Sequence, residues 1–197
     1  MIQRHFAIAM AAMALVAVVL GVYAWRVRGR VVQAEPTQES RGVEPPVKGA
    51  TEQVTLYVAY DDPGLLLPQA SVIPLPGGRQ QRAEELLHAL LDLYTGKTSP
   101  HPLAPGADVR SVYLVDPGLA VIDVNSAFAE GHRSGIFVEE LTIVSIVETL
   151  TVNVPGITRV KILVDGKERD TLAGHADLSR FYDVSSVNEL LTQMRAQ

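Results

Sequence analysis

The sequence predicts an α+β fold, with one small mixed sheet of about four to five strands and two main helices packed on one face. Two segments, 79–94 and 134–153, repeat apolar residues at helical spacing. Runs rich in β-branched and aromatic residues precede, separate and follow these segments. The resulting order is strand–strand–helix–hairpin–helix–strand. Two helices on one face of a small sheet would bury both apolar stripes.

The first thirty residues are predicted to form an uncleaved membrane anchor. Phe6 to Trp25 is a run of twenty residues without a charge. As a helix it would be about 30 Å long, the thickness of the hydrocarbon core of a bilayer. Tyr23 and Trp25 lie at its end, where aromatic rings favour the headgroup region. A cleaved signal peptide is the alternative, but its apolar region is usually shorter.

Residues 31–53 separate this anchor from the domain. They contain Pro, Glu, Gln and Gly with only scattered apolar residues. Such a segment buries too little surface to offset its conformational entropy. The sequence therefore predicts a disordered linker here and an α/β domain over residues 54–183.

The domain begins with two extended segments. VTLYVAY (54–60) reads as a strand, and the turn residues DDPG follow it. LLLPQASVIPL (65–75) predicts a second strand, in which Pro68 and Pro74 indicate a sheet edge. The first helix then spans 79–94, and Gly96 suits its C-terminal end.

A hairpin and a further strand complete the predicted sheet. VRSVYLV and LAVIDVN flank Asp116-Pro117-Gly118, which are turn residues. TRVKILVDG (158–166) alternates along its length and would place Val160, Ile162 and Val164 on one face. In the last segment, 184–197, Ser186 and Glu189 form a capping-box pattern that predicts a short helix or tail.

Composition excludes several classes of function. Of the 17 basic and 22 acidic side chains, residues 51–197 hold 11 and 19. An acidic domain repels phosphate backbones, so nucleic acid is not expected as a partner. The chain has no cysteine, which excludes disulfides, thiol catalysis, Cys-based zinc sites and a lipid-modified N-terminal Cys.

The segment GHADLSR holds the residues most suggestive of a site. His175 and Asp177 invite comparison with a catalytic triad, but the nucleophile motif G-x-S-x-G is absent. Two residues cannot fill a zinc shell. We therefore predict no catalytic residue, no metal and no cofactor. Gly174, His175 and Asp177 remain weak candidates for an interaction site, with Gly174 and Asp177 forming a turn and His175 bonding local backbone.

Three acids on the second helix suggest a second chemistry. Glu139, Glu140 and Glu148 could supply the paired carboxylates of a glycosidase, which must face each other across a cleft. Acids on one helix more often form its solvated face, and that is the prediction here. Asp123 is predicted to bond the Asn125–Ser126 turn. Gly77-Gly78-Arg79, before a helix, gives only a weak anion-binding signal.

An ordered set of segments resembles the GerMN domain of sporulation and spore germination proteins such as GerM. The segments are VTLYVAYDD, AEELLHALL, LAPGADVRSVYLVDPGLAVIDVNSAF, ETLTVNVPGITRVKILVDGK and LAGHADLSR, and they cover about residues 54–182. The chain departs from GerM in having room for one such domain rather than two. It also lacks the lipoprotein cysteine of many relatives and would use the Phe6–Trp25 helix instead.

The resemblance implies a membrane-anchored, extracytoplasmic, non-catalytic scaffold or interaction domain of the bacterial cell envelope. Its expected partners are envelope proteins or cell-wall polymer, with self-association left open. A ligand-sensing or regulatory domain is the alternative, and a wall hydrolase comes third. Arg26, Arg28 and Arg30 after the span would by charge alone favour a cytoplasmic domain. Large domains translocate largely regardless of that bias, so we expect the exported orientation in the cytoplasmic membrane.

Overall fold

A computed structural model describes residues 49–195 of the chain. The predicted anchor, with its span from Phe6 to Trp25, and residues 31–48 of the predicted linker lie outside the described residues. Between residues 49 and 195, none of the helices has both the length and the apolar character needed to span a bilayer.

The described chain has an α+β fold, which confirms the predicted class. Its strands divide between a two-stranded sheet, β1–β2, and a mixed four-stranded sheet in the order β3–β4–β5–β6. In chain order the elements are β1 (Thr51–Tyr60), β2 (Leu65–Pro74), α1 (Arg79–Thr95), β3 (Val109–Val115), β4 (Leu119–Val124), α2 (Ser126–Glu130), α3 (Ile136–Asn153), β5 (Arg159–Val164), β6 (Tyr182–Asp183) and α4 (Val184–Arg195).

Helix side chains occupy the free edge of β1, which explains why the strands do not join into one sheet. Thr55 N–H donates to Asn153 Oδ1 at 3.2 Å, and Thr55 O accepts from Asn153 Nδ2 at 2.7 Å. The pattern continues along the strand. Its further bonds are Tyr57 N–H to Thr149 Oγ1 at 2.9 Å, Ser145 Oγ to Tyr57 O at 2.6 Å and Ala59 N–H to the Tyr94 hydroxyl at 2.8 Å.

The same bonds explain the two prolines of β2. Tyr57 directs its N–H toward α3, so its cross-strand partner Pro68 needs no ladder N–H. Pro74 pairs with Thr51, six residues before Tyr57 in β1, so the missing N–H of Pro74 also lies on the side of β2 that faces away from β1. The strand pairing begins at Thr51 rather than at the predicted Val54. The last three residues of the predicted linker therefore belong to β1.

The core lies between the long helices and the sheets. The predicted stripe of α1 is buried, with Leu86, Leu87 and Leu90 fully inaccessible. Helix α3 is buried on nearly every side from Leu141 to Leu150. In the larger sheet, β4 pairs antiparallel with β3 and parallel with β5. The predicted face of β5, Val160 to Val164 at alternate positions, is buried as expected.

Two local predictions are wrong in detail. Asp123 does not bond the Asn125–Ser126 turn. Its Oδ1 instead accepts the N–H of Gly166, which follows the end of β5, at 2.6 Å. Helix α4 begins at Val184, whose N–H donates to Thr158 O, so Ser186 lies inside its first turn rather than before it.

Candidate functional site

A buried carboxylate holds the loop that contains the sequence candidates. The Glu139 side chain is fully inaccessible in the first turn of α3. Its Oε2 accepts the N–H groups of Ala173 at 3.0 Å, His175 at 2.9 Å and Ala176 at 2.9 Å. Its Oε1 accepts Gly135 N–H at 3.1 Å and lies 2.9 Å from His175 Nδ1. The loop thus wraps around an anion supplied by the protein itself.

This arrangement overturns the predicted solvated face. Glu139 and Glu148 are buried, at 0% and 6% exposure, and Glu140 is half-buried. Helix α3 is covered on most sides, and of its three acids only Glu140 is partly exposed. For Glu139, the loop N–H groups replace water as hydrogen-bond donors.

The hydrogen bonds decide the charge of Glu139. Burial alone raises the pKa of this carboxyl group. The bonds from the His175 side chain and from the N–H groups of Ala176, Ala173 and His175 outweigh burial and lower the pKa to about 2. Glu139 is therefore ionised at neutral pH.

A buried cation holds the far end of the same loop. Lys161 in β5 is only 4% exposed. Its Nζ donates to the carbonyl oxygens of Leu178 at 3.0 Å and Ser179 at 2.6 Å, and it pairs with Glu168 Oε1 at 3.1 Å. We call residues 173–179 the clamped loop, because buried groups of opposite charge fix its two ends.

The three candidate residues have distinct places in the clamped loop. Gly174 has φ +118°, a conformation that side chains other than glycine rarely adopt. Asp177 Oδ1 accepts from Ser179 N–H and Oγ–H at 2.9 and 2.6 Å, and these bonds hold the pKa of Asp177 below its usual range. The prediction that His175 bonds local backbone is wrong, because its N–H and its Nδ1 contact Glu139, 36 residues away.

A surface pocket of about 310 Å³ lies beside the clamped loop. The loop contributes His175 and Asp177 to its wall, and Gly174 precedes them in the chain. Helix α3 and the residues from Arg180 into α4 form the other walls. The full lining is Glu140, Ile143, Val144, His175, Ala176, Asp177, Arg180, Phe181, Tyr182, Asp183, Ser186 and Val187.

The polar side chains of the clamped loop are bonded in separate directions. His175 Nδ1 is bonded to Glu139, whereas Asp177 Oδ1 is bonded to Ser179. A catalytic triad needs an acid, a base and a nucleophile bonded in sequence. The bonds of His175 and Asp177 do not form such a chain. Within residues 49–195, no three or more His, Asp or Glu side chains are grouped so that they could hold a metal ion. The hydrogen bonds of His175 and Asp177 hold the side chains of the clamped loop in one arrangement at the surface.

A second polar cluster lies in the core. His101 Nδ1 donates to Asp61 Oδ1 at 2.5 Å, and its Nε2 lies 2.6 Å from Thr142 Oγ1. His132 Nε2 lies 2.7 Å from the same hydroxyl, and its Nδ1 donates to Arg133 O at 2.7 Å. Burial lowers the pKa of both imidazoles. The cluster joins the β1–β2 turn, the loop after α1 and helix α3.

Sequence reasoning identified the loop but missed the two groups that hold it. Glu139 had a usable signal, because it lies in a helix that is rich in apolar residues and has no distinct polar face. Lys161 had a weaker one, since it interrupts a run of β-branched and aliphatic residues in β5. Neither pattern identifies a partner that is distant in sequence.

Together these features define a small α+β domain that presents a clamped loop beside a surface pocket. Residues 55–170 match the Germane family, described as sporulation and spore germination. The chain belongs to this family, whose domain is the GerMN domain. The match ends three residues before the clamped loop begins.

One solved structure shares the fold, and two others were found with lower structural similarity. The tandem GerMN domains of the sporulation protein GerM from Bacillus subtilis are 19% identical, with a TM-score of 0.53 over 70% of this chain and 48% of that one. This chain thus spans about half of the tandem structure. The first GerMN domain of the same protein is 22% identical, with a TM-score of 0.43 over 66% and 98% of the two chains. A candidate lipoprotein from Clostridium perfringens is 23% identical, with a TM-score of 0.48 over 71% and 92%. A search of curated proteins found no match.

Proposed function

We propose that this protein is a membrane-tethered, extracytoplasmic interaction domain of the bacterial envelope that acts without catalysis. The observation that carries the proposal is the clamped loop, which Glu139 and Lys161 fix beside a surface pocket. Family membership supports a role in sporulation or germination. The uncharged segment from Phe6 to Trp25 supports the tether.

A fixed loop suits recognition because a preorganised surface loses little conformational entropy when it binds. The buried charges stabilise one loop conformation before any partner arrives. A wall hydrolase is less well supported. A glycosidase needs one carboxyl group with a raised pKa, whereas the pKa of Glu139 is lowered to about 2 and its oxygens are occupied.

The pocket also supports the runner-up, a domain that senses a small ligand. Its volume of about 310 Å³ is at the lower end of the range for small-molecule sites. A partner's side chain would occupy the same space. The identity of the bound species in cells therefore separates the two functions.

Crosslinking in intact cells, followed by affinity capture and mass spectrometry, tests the proposal. The full-length protein is compared with an exported version that lacks residues 1–30. We expect envelope-protein partners that are reproducible and are lost or weakened without the anchor. Wall fragments or a small molecule without protein partners would favour the runner-up. Cytoplasmic partners would contradict the proposed location.

A further inference from the structure

The floor of the pocket is apolar and formed by buried residues. Ile143 and Val144 of α3 are each 2% exposed, and Val187 of α4 is 4% exposed. Tyr182 is 7% exposed, and its hydroxyl donates to Asp177 O at 2.7 Å. An aliphatic chain would bury apolar surface here, whereas a compact, fully hydrated ion would gain little.

The rim of the pocket is polar and carries an excess of negative charge. Its lining has three carboxylates, Glu140, Asp177 and Asp183, and one guanidinium, Arg180. Arg180 lies over the Tyr182 ring, 5.0 Å from its centroid, and its charge helps to lower the pKa of Asp177. Arg180 and Asp177 therefore offset each other.

The other two carboxylates are those of Glu140 and Asp183. Among the side chains that the structure describes, neither Glu140 nor Asp183 has a hydrogen-bond or ion-pair partner. Arg159 is the cross-strand partner of Asp183, but its guanidinium lies over the Phe181 ring, 5.4 Å from the centroid. Two carboxylates above an apolar floor complement a positive charge at the end of an aliphatic stem.

We infer that this pocket takes a lysine or arginine side chain of a partner protein. The aliphatic stem would lie on Ile143, Val144 and Val187, and the cationic group would reach Glu140 and Asp183 at the rim. This inference rests on the proposed function and names the chemistry of its partner. Glu140 lies in α3 and Asp183 in β6, while the clamped loop supplies the neighbouring wall with His175, Ala176 and Asp177.

Three small probes test the inference on the full-length chain in detergent micelles. They are the Nα-acetyl methylamides of lysine, norleucine and glutamate, which share a backbone and differ at the end of the side chain. Binding is followed through the amide NMR shifts of residues 174–183. We expect the lysine probe to bind about fivefold more tightly than the norleucine probe, and to weaken as salt is added.

Paired variants locate the binding site. Glu140→Gln with Asp183→Asn should reduce lysine binding to the norleucine level. Glu130→Gln with Asp116→Asn removes two exposed acids elsewhere and should leave the lysine probe unaffected. Thermal unfolding of each pair shows whether the domain remains folded, and a Glu140→Gln single variant serves if the double variant unfolds.

Equal binding of lysine and norleucine, tighter binding of glutamate, or no binding of any probe would each overturn the inference. The proposed function has a separate test, because envelope partners captured in cells would still support it after such a result. Conversely, a selective lysine site in a protein without protein partners would support the preference of the pocket for a cationic side chain and overturn the proposed function.

Discussion

At the scale of single residues, the domain depends on charges placed in its interior. Glu139 is bonded by one side chain and by four backbone N–H groups. A buried charge is tolerated only when hydrogen bonds replace the lost water, and this carboxylate meets that condition. Removing the charge would leave N–H groups in the interior without an acceptor.

Glu139→Gln should therefore destabilise the domain by about 3 kcal/mol at pH 7, measured by urea unfolding. The amide keeps the shape of the side chain, but its NH₂ group opposes N–H donors. Glu140→Gln is the matched control, one residue further along the helix and half-buried, and should change stability by less than about 0.5 kcal/mol. Equal effects at both positions would show that Glu139 is not the anchor of the loop.

The effect of Glu139 should disappear in acid. Its pKa is about 2 in the folded protein, against an ordinary value of 4.5. Its stabilisation is therefore fully present above pH 4.5 and is lost as the pH falls toward 2. The difference in unfolding free energy between the wild type and Glu139→Gln should shrink across this window. A difference that stays constant from pH 5 to pH 2.5 would contradict the lowered pKa.

Lys161→Met should loosen the other end of the clamped loop. Methionine keeps an apolar stem but removes the donors to Leu178 O and Ser179 O. We expect faster amide hydrogen exchange in residues 177–182, with a loss of about 1–3 kcal/mol in stability. The exposed Lys167→Met is the control. Unchanged amide hydrogen exchange in residues 177–182 would show that Lys161 does not hold this end of the clamped loop.

At the scale of the elements, the closed edge of β1 organises the fold. Side chains of α1 and α3 hydrogen-bond its free edge, and Pro68 and Pro74 lie on the outward-facing register of β2. Long exposed edges promote strand-to-strand aggregation, and prolines reduce that tendency. Further strands are thus disfavoured at both edges of the two-stranded sheet. Helix side chains occupy the edge of β1, and the edge of β2 lacks the N–H groups of Pro68 and Pro74.

Asn153→Ala should weaken the packing of α3 on β1 by about 2 kcal/mol, because it leaves Thr55 N–H and Thr55 O without their partner. Val152→Ala, at a half-exposed neighbouring position, should have a small effect. Urea unfolding compares the two variants. Similar losses in both would show that side-chain bonds at this edge contribute little.

At the scale of the whole molecule, the pH dependence near neutrality should come from the core cluster. Burial lowers the pKa of His101 and His132 in the folded state, so the unfolded state binds more protons below about pH 6.5. Stability should fall as the pH drops from 6.5, by at most about 2.7 kcal/mol per pH unit for two protons.

The double variant His101→Gln, His132→Gln should reduce the slope of unfolding free energy against pH between 6.5 and 5. Asp61, Arg133, Tyr94 and Glu139 face the cluster from the surrounding elements. The pKa of Glu139 lies far below this window and that of Tyr94 far above it. An unchanged slope in the double variant would assign the effect to other groups.

Local patterns in the sequence predicted most elements, because helix and strand periodicities involve near neighbours. The stripe of α1, the β3–β4 hairpin and the strand β5 follow from such patterns. The division into two sheets did not follow, since it depends on bonds between β1 and α3 that span up to 98 residues. The clamp was missed for the same reason: Glu139 and the loop are 34 to 37 residues apart.

Site-specific photocrosslinking in intact cells tests the interaction surface most directly. A benzophenone amino acid replaces Phe181 at the pocket or Tyr113 on β3, which are 47% and 50% exposed. The proposed function predicts crosslinks to an envelope protein from position 181 and none from position 113. Crosslinks of equal yield from both positions, or none from position 181, would contradict an interaction surface at the clamped loop.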